Sequence, residues 1–552
     1  MNEVSSTLKE KLGDVPDQFK ALERLIARVS GLTAENFYND LTGYIKKIVS
    51  DDQNAWDGLS LLAIFSSDKE PDDSKIAGLA VSAFFDIKDW CDGSNCYPVA
   101  HEETCNWINQ RLLNADTIKH SYLKDAYGGD ISGFEETFPE VKMPQLGGVK
   151  LRSMFKDSKC QYRYGSIESN SFIVGREYRK KFAGSLAWIK KEDNKGKTWG
   201  VVSGKELLFA YPSVLPATPA PIALMFGCSS QSEKDQETLF ASCASDVIKS
   251  LQGISRSIKD IDINVFVLKK MDKARTKVVF HRNLTAERLI QVAEEWKRAC
   301  DNVSLINIKE WGEQKGVAEI VGLRDVFPLD IAKSLNRVWK MDGTSASEVD
   351  AINSTAGIDL LIGNLDDAGV SHLMSIALQN CKGLMIALGA AKNKQEVLNA
   401  KGFRQYKRIV PTIFGVLLYK QNIYKEVYMK SIGRIIGNML SIADQLHLLY
   451  CEKVRKGSMP PQLIGNSLMV AAMESPVNAL AQLGLRLAPY LGWAATNNTD
   501  KAGLSRYYLK AYRDIVPQVG EIPQRFTDAE KAQVLLGYLA GIQKNEETEG
   551  GK

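Results

Sequence analysis

From about residue 358 to residue 545, apolar residues recur at helical spacing with only short interruptions, and this pattern constrains the fold more than any other feature. The interruptions are polar segments rich in Gly, Pro or Asn, such as RKGSMPPQ and TNNTDKAG, which suit turns between helices. Successive helices joined by short turns are typical of a helical bundle. The sequence therefore predicts that residues 346–552 form a C-terminal helical bundle.

The preceding part of the chain has the pattern of a mixed α/β region. Residues 198–216 read as strand and turn, and residues 262–282 read as two strands around a charged turn. An amphipathic helix follows, opened by Thr285 as its N-cap. The segment PATPAPIALMF predicts a Pro-rich break before an apolar strand. The predicted fold class is therefore α+β, with a mixed α/β N-terminal region followed by the bundle.

Charge divides the chain further. Residues 1–150 carry 15 cations and 25 anions, although the whole chain has a net charge of +4. The basic residues are therefore concentrated downstream, which indicates an anionic partner there. We predict three regions: an acidic, mostly helical region over 1–140, a basic α/β region over 141–345, and the bundle over 346–552.

Location follows from the N-terminus, the cysteines and hydropathy. The first residues are polar and mixed in charge, unlike a secretory signal, and no run of about 18 apolar residues suggests a membrane span. Nine widely spaced cysteines favour free thiols in a reducing compartment. The chain is expected to be cytoplasmic, with no membrane partner.

Residues 401–434 combine many cations with aromatic residues and contain a single acid, Glu426. On a helix, its first cations would fall within one turn of each other and form a strongly basic face. Such a face suits nucleic-acid phosphates, and a merely solvated helix face is the alternative. The candidate contacts are Lys401, Arg404, Lys407, Arg408 and Arg434.

Residues 150–181 form the second nucleic-acid candidate, since cations and tyrosines such as Tyr178 are interleaved there, and Gly147, Gly148 and Gly165 loosen the backbone. Cations neutralise phosphates, tyrosines stack on bases, and glycine lets the main chain approach a groove. The alternative is a solvated basic loop. The predicted contacts in the loop over 147–172 are Lys150, Arg152, Lys156, Lys159, Gln161, Arg163 and Asn170, and Arg176, Arg179, Lys180 and Lys181 add basic charge beyond it.

No convincing catalytic constellation is present, so we predict a chain that is not an enzyme and needs no cofactor. The segment NKGKTWG lacks the first glycine of a phosphate loop, and Asp366 with Asp367 reads as a helix cap. Three cysteines and one histidine, which are residue types that bind zinc, fall within 15 residues, but their spacing is unlike that of close zinc knuckles. A structural zinc and partly buried, metal-free cysteines are the two readings of Cys91, Cys96, His101 and Cys105.

The order of these features resembles the large subunit of type I CRISPR surveillance (Cascade) complexes, nearest to the I-C subtype, the Csd family. The resemblance is patchy over residues 160–545 and is strongest in the bundle. The chain departs from the family at Leu539 to Gly541, where a Tyr-Tyr-His-Gln run is usual, and the acidic first 150 residues have no counterpart. The segments that carry it are IGRIIGNMLSIADQLHLLY, SLMVAAMESPVNALAQLGLRLAPYLGW and FTDAEKAQVLLGYLAG.

The resemblance implies a non-catalytic subunit in antiviral defence. Members read a short motif beside the DNA target (the PAM), help to open the duplex, stabilise the R-loop and recruit a helicase-nuclease. Implied partners are guide RNA (crRNA), target DNA, the helicase-nuclease effector, and the backbone, crRNA-end-capping and small subunits of Cascade. Residues 147–172 would read the motif, and the basic residues of 401–434 would bind the displaced strand.

Three alternatives remain open. The chain could be an enzyme with a dispersed site in the α/β region, or an interaction protein whose basic faces bind an acidic partner. By the same resemblance, a small subunit could also be translated from an internal start at Met429, for which a simple buried helix residue is the alternative reading.

Overall fold

The structure is a computed structural model, and it confirms the α+β fold class: antiparallel sheets precede a long helical region. The residues it describes are 102–115, 124–129, 140–150, 173–214, 216, 220–228, 240–254, 258–272, 276–311, 318–393, 404–497 and 503–541, with short pieces at 14–16, 23–25, 27, 36 and 39–40.

The chain divides into two compact units. The first comprises residues 1–140 and 150–185, and the second comprises 141–149 and 186–552. The boundary predicted between 345 and 346 therefore falls inside the second unit, whose apolar core includes residues on both sides of it.

The described part of the first unit contains a helix, a turn and most of a second helix. Helix α1 spans Glu102–Ala115, and helix α2 spans Arg176–Ile189, of which the last four residues belong to the second unit. The turn over residues 124–129 hydrogen-bonds to the segment before α2, where the Ala126 amide donates to the Ile173 carbonyl at 2.9 Å.

A four-stranded antiparallel sheet forms the centre of the α/β part of the second unit. Its strands are adjacent in chain order: β3 (Trp199–Ser203), β4 (Glu206–Pro212), β5 (Asp262–Lys270) and β6 (Thr276–Thr285). Strands β5 and β6 are the two predicted around a charged turn, and β3 and β4 lie in the segment that read as strand and turn. Among the described residues, three two-stranded sheets accompany it, formed by β1 (Glu140–Met143) with β2 (Gly147–Lys150), β7 (Ile308–Trp311) with β8 (Ala318–Val321), and β9 (Arg337–Trp339) with β10 (Ser345–Glu348).

Both faces of the central sheet bury apolar side chains in their alternating positions. Cross-strand neighbours Leu208, Val267 and Phe280 share the face that belongs to the main core. On the opposite face, the rings of Phe209 and Phe266 stack with centroids 4.9 Å apart. The main-core face is covered by helices α4 (Phe240–Gln252) and α5 (Ala286–Cys300), which bury apolar stripes.

Local signals explain where these helices begin. The hydroxyl of Thr285 accepts a hydrogen bond from the Arg288 amide at 3.2 Å, which confirms the predicted cap of α5. The expectation of an apolar strand after the Pro-rich break is wrong, because Ile222–Met225 forms a short helix, α3. A proline directly before its first residue restricts the backbone there, and three of its four side chains are buried.

The remainder of the second unit is helical, as predicted from residue 358 onward. Two helices in this part precede the bundle proper, α6 (Pro328–Leu335) and α7 (Ala356–Ile362). The later helices are α8 (Asp367–Asn393), α9 (Arg404–Lys420), α10 (Lys425–Tyr428), α11 (Ile432–Lys453), α12 (Ile464–Glu474), α13 (Pro476–Thr496), α14 (Gly503–Ile515) and α15 (Asp528–Ala540).

Helices α11 and α15 pack at backbone contact through glycines. A Cβ placed at Gly437 would lie 2.2 Å from the Val534 carbonyl oxygen, and one at Gly537 would lie 2.4 Å from the Arg434 carbonyl oxygen. Only glycine allows two helices to approach so closely without displacement. Helix α11 therefore forms the axis of the bundle, with α12, α13, α14 and α15 packed around it.

Helix α8 is long and apolar enough to cross a membrane by composition over Asp367–Ala390, but 78% of that window is buried inside the protein. A core helix of a globular protein has the same composition. Its glycines support a core position, since a Cβ at Gly389 would lie 2.0 Å from the Tyr538 ring of α15.

Candidate nucleic-acid interface

The described part of α9 does not form the predicted basic face, because nearly every residue from 406 to 418 is buried. The run from Ile409 to Leu418 is buried throughout, and Lys407 is only 3% exposed. The Nε of Arg408 donates to the Gly322 carbonyl at 2.9 Å, and Lys420 pairs with Glu295 at 2.6 Å. Arg404 is the first residue of α9, and Lys401 lies outside the described residues.

Arg434 is also not a surface residue, so the prediction of an exposed cation there is wrong. Its exposure is 0%, its Nη1 donates to the Leu536 carbonyl at 2.7 Å, and its Nη2 donates to the Ser304 hydroxyl at 3.1 Å. Burial lowers the pKa of its guanidinium to about 10, and the neighbouring Tyr428 opposes that change. The guanidinium still carries its charge at neutral pH and acts inside the core.

Most of the predicted motif-reading residues lie outside the part of the chain that the structure describes. Lys150 ends strand β2, whereas Arg152, Lys156, Lys159, Gln161, Arg163 and Asn170 lie outside the described residues. Beyond this loop, Arg179 is buried and its Nε donates to the Val174 carbonyl at 3.0 Å. Lys180 and Lys181 are exposed on α2, as a basic surface requires.

Only one of the four predicted metal ligands lies within the described residues. Cys91, Cys96 and His101 lie outside the described residues, and Cys105 is a partly exposed thiol on α1. Among the residues that the structure describes, no three His, Cys, Asp or Glu side chains group closely enough to share a metal ion. The Asp366 carboxylate accepts a hydrogen bond from the Gly369 amide at 2.8 Å, so it caps α8 as expected.

The described cysteines other than Cys105 offer no activated nucleophile. All of them are buried free thiols, and burial raises the pKa of Cys228 to about 12 and that of Cys243 to about 11. A thiol is nucleophilic only as its thiolate, which these environments disfavour at neutral pH.

A cleft of about 990 Å³ opens beside the central sheet in the second unit. Its walls come from the ends of β3 to β6, from α6, from residues 348–356 and from the start of α8. Charged side chains in the cleft pair with one another: Lys269 contacts Glu206 at 2.7 Å, and Arg337 contacts Glu348. An enzymatic alternative would have its site here.

An aromatic cluster edged by cations lies where α11 ends. Tyr450 meets Tyr490 and Trp493 of α13 edge-to-face, with ring centroids 5.0 and 5.4 Å apart. The guanidinium of Arg455 lies 5.7 Å from the Tyr450 ring centroid. Burial raises the pKa of the Tyr490 hydroxyl, and the nearby Arg455 opposes the rise.

The turn after α11 keeps these cations at the surface. The Gly457 amide donates to the Cys451 carbonyl at 3.0 Å, closing the helix, and both Lys456 and Gly457 have positive φ. Lys453, Arg455 and Lys456 are therefore exposed around the end of α11, where positive charge also complements the helix dipole.

Helix α14 packs against α11 and α13 and carries further exposed cations. Arg506, Lys510 and Arg513 are all exposed at spacings of four and three, so they share one side of the helix, and Tyr507 is exposed beside them. Arg506 joins α14 to the end of α13, since its Nη2 donates to the Asn497 carbonyl at 3.2 Å. We name the bundle-end surface as Tyr450, Lys453, Arg455, Lys456, Tyr490, Trp493, Arg506, Lys510 and Arg513.

This surface has the chemistry that the sequence predicted, on different residues. Exposed cations bind phosphates, and aromatic rings near them stack on bases. The helical spacing of the three cations on α14 could be read from the sequence. The clustering of Tyr450 with Trp493 could not, because the two rings lie on different helices and meet only when the bundle forms.

Comparison with known proteins does not identify the chain: no family model matches it, and no curated protein matches it either.

Proposed function

We propose that this chain is a non-catalytic nucleic-acid-binding subunit of an RNA-guided DNA-surveillance complex of the CRISPR type. In this role it recognises a short target-adjacent motif in duplex DNA, aids duplex opening and R-loop stabilisation, and recruits a helicase-nuclease. Guide RNA and the other subunits of the complex are its partners. The sequence resemblance supports the choice of complex.

The bundle-end surface is the observation that carries the nucleic-acid part of the proposal. It joins six exposed cations of α11, the following turn and α14 to three partly buried rings, all within one unit. Single-stranded nucleic acid suits it, because a flexible strand can follow the cations while its bases meet the rings. Under this proposal the surface holds the displaced strand, in place of the buried Arg434 and Lys407.

The first test is a tagged pull-down of the full chain from its native host, with sequencing of bound RNA. Short RNAs of uniform length that share a repeat-derived handle, together with several protein partners, are the expected result. Nuclease treatment before the pull-down should remove those partners, because RNA scaffolds the assembly. Partners that survive nuclease treatment, with no RNA recovered, would favour an acidic protein partner instead.

The second test locates the surface. Replacing Arg506, Lys510 and Arg513 with Glu should weaken single-stranded DNA binding on all sequences and flatten its dependence on salt. The matched control replaces three exposed cations of α4 and α5 with Glu, namely Lys249, Lys297 and Arg298, and so makes the same change in net charge. Equal losses in both variants would mean that only total charge matters.

The cleft beside the sheet supports one other function, an enzyme with its site in the α/β region. That reading predicts turnover of a small substrate by the isolated chain, and it predicts loss of turnover on changing residues such as Lys277 or His372 that line the cleft. If the isolated chain binds nucleic acid and turns over no substrate, the first proposal stands.

A further inference from the structure

The first unit carries an exposed aromatic ring that the sequence did not single out. Tyr127, in the turn over residues 124–129, is 50% exposed. Its ring lies 5.4 Å from the Tyr178 ring and 5.5 Å from the Phe182 ring, centroid to centroid, and both of these lie on α2. Three aromatic rings thus converge at one place, with Tyr127 as the outermost.

The turn is held in place by the buried carboxylate of Asp125. One oxygen accepts the amides of Tyr127 and Gly129, each at 2.9 Å, and the other accepts the Gly175 amide at 3.0 Å. This is an Asp-centred turn tied to the start of α2. Tyr127 therefore has its backbone fixed before any ligand arrives, which lowers the entropy lost on binding.

Two glycines make this geometry available. Gly128 has a φ of +81°, in the left-handed region that favours glycine. A Cβ at Gly129 would lie 2.7 Å from the Tyr178 ring, so glycine lets that ring lie against the turn. The half-exposed ring of Tyr127 therefore packs against the Tyr178 ring of α2 in a fixed arrangement.

One cation lies beside the cluster on α2. The Lys181 ammonium lies 5.2 Å from the Tyr178 ring centroid, and its side chain is 61% exposed. It pairs with Glu177 at 2.6 Å, an exposed pair that contributes little and that a phosphate can replace. Lys180 is also exposed, but it is two residues from both Tyr178 and Phe182 and therefore lies on the other side of the helix. Positive charge beside an exposed aromatic ring favours an anionic polymer that also carries flat rings.

We propose that Tyr127 is a stacking platform for an unpaired nucleobase, with Lys181 binding the adjacent phosphate. The inference deepens the proposed function, on which it rests, and assigns to the first unit a strand-binding site separate from the bundle-end surface. Recognition by ring faces is tolerant of base identity, so this site distinguishes unpaired from paired nucleotides and does not read sequence.

The experiment compares two probes of equal charge: a fluorescent oligothymidine strand and the same strand with abasic sites. The full chain and its Tyr127→Leu and Tyr127→Phe variants are titrated with each. Leucine keeps apolar contact with Tyr178 and Phe182, so the variant is expected to fold, which circular dichroism checks. We expect Tyr127→Leu to weaken binding of the base-bearing strand by about 5- to 100-fold, the value of one lost base stack.

The same change should leave binding of the abasic strand unaltered, and Tyr127→Phe should behave as wild type because it keeps the ring. Neutralising the adjacent cation, as Lys181→Gln, should weaken binding of both strands alike. A folded Tyr127→Leu variant that binds oligothymidine as wild type does would overturn the platform alone. A wild-type chain that binds neither strand would overturn the platform and the proposed function together.

Discussion

The guanidinium of Arg434 joins three parts of the second unit: α11, on which it lies, the last helix, and the segment after α5. Its hydrogen bonds go to the Leu536 carbonyl and the Ser304 hydroxyl. Neighbouring Asn302 makes a similar junction, where its Nδ2 donates to the Gly415 carbonyl at 3.0 Å and its Oδ1 accepts the Lys425 amide at 2.6 Å. Buried groups of this kind are costly to leave unpaired.

We therefore expect Arg434→Met to lower the free energy of unfolding by about 2–4 kcal/mol, because two buried acceptors lose their donor. Urea denaturation followed by circular dichroism measures it. Lys430→Met, at an exposed position four residues earlier, is the control and should change stability by less than about 0.5 kcal/mol. Unchanged stability with weakened DNA binding would instead make Arg434 a surface contact.

Tyr538 takes part in a second buried hydrogen-bond network, which can be tested by how the stability of the protein depends on pH. Its hydroxyl donates to the Asp444 carboxylate at 2.7 Å, and burial followed by that charge raises its pKa well above 10.0. In the unfolded chain the tyrosine ionises near pH 10. The stability that its proton provides is therefore complete below pH 10 and is lost as the pH rises toward the folded pKa.

Tyr538→Phe should cost about 1–2 kcal/mol at pH 8, because the hydrogen bond is lost. Above pH 10 the advantage of the wild type should shrink by about 1.4 kcal/mol per pH unit, since only the wild type gains an ionisable group on unfolding. Urea unfolding of both proteins from pH 8 to 11 measures the difference. A difference that stays constant over this range would contradict the assignment.

At the scale of elements, short sequence patterns correctly predicted the strands and helix starts that depend on neighbouring residues. Strands β5 and β6 were predicted as two strands around a charged turn, and α5 was predicted from its N-cap Thr285, because both signals lie within a few residues. Helix α9 was predicted as a helix but with the wrong surroundings. Its charges suggested solvent, whereas its neighbours, such as Glu295 and Gly322, lie about a hundred residues earlier in the chain.

The contact between α11 and α15 provides a matched pair of substitutions. Gly437→Ala should destabilise the protein by about 2–4 kcal/mol, because a Cβ would meet the Val534 carbonyl at 2.2 Å and force the helices apart. Gly484→Ala on α13 meets nothing within 4 Å and should stabilise it by about 0.5–1 kcal/mol through helix propensity. Thermal unfolding compares them, and equal effects would contradict the close packing.

For the whole molecule, one apolar core continues from the sheet into the bundle, so the α/β region and the helices of the second unit are physically one body. The sequence suggested a break near residue 345 because polar, Gly-containing residues occur there. Those residues form the β9–β10 hairpin, and the Trp339 and Lys340 carbonyls contact α8 at Gly383. The cations that the structure exposes differ from those that the sequence favoured for the same reason: long-range packing decides which cations stay at the surface.

The internal start at Met429 is a prediction at this scale. Met429 is the C-cap residue that follows α10, two residues before Ser431, whose hydroxyl caps α11. A product starting there would retain α11 to α15 complete and would lose the Ser304 partner of Arg434. We expect a C-terminally tagged gene to yield a second, shorter band that Met429→Leu abolishes. A short band that persists in this variant would contradict the hypothesis.

The glycine contact between α11 and α15 also sets an order of events during synthesis. Helix α11 emerges from the ribosome well before α15, the last described helix, and its glycine-lined side has no native partner until α15 arrives. Over that interval an apolar surface is open to chaperones and proteases. Nascent chains interrupted before residue 528 should therefore be degraded quickly, which gives the cell a check on complete translation.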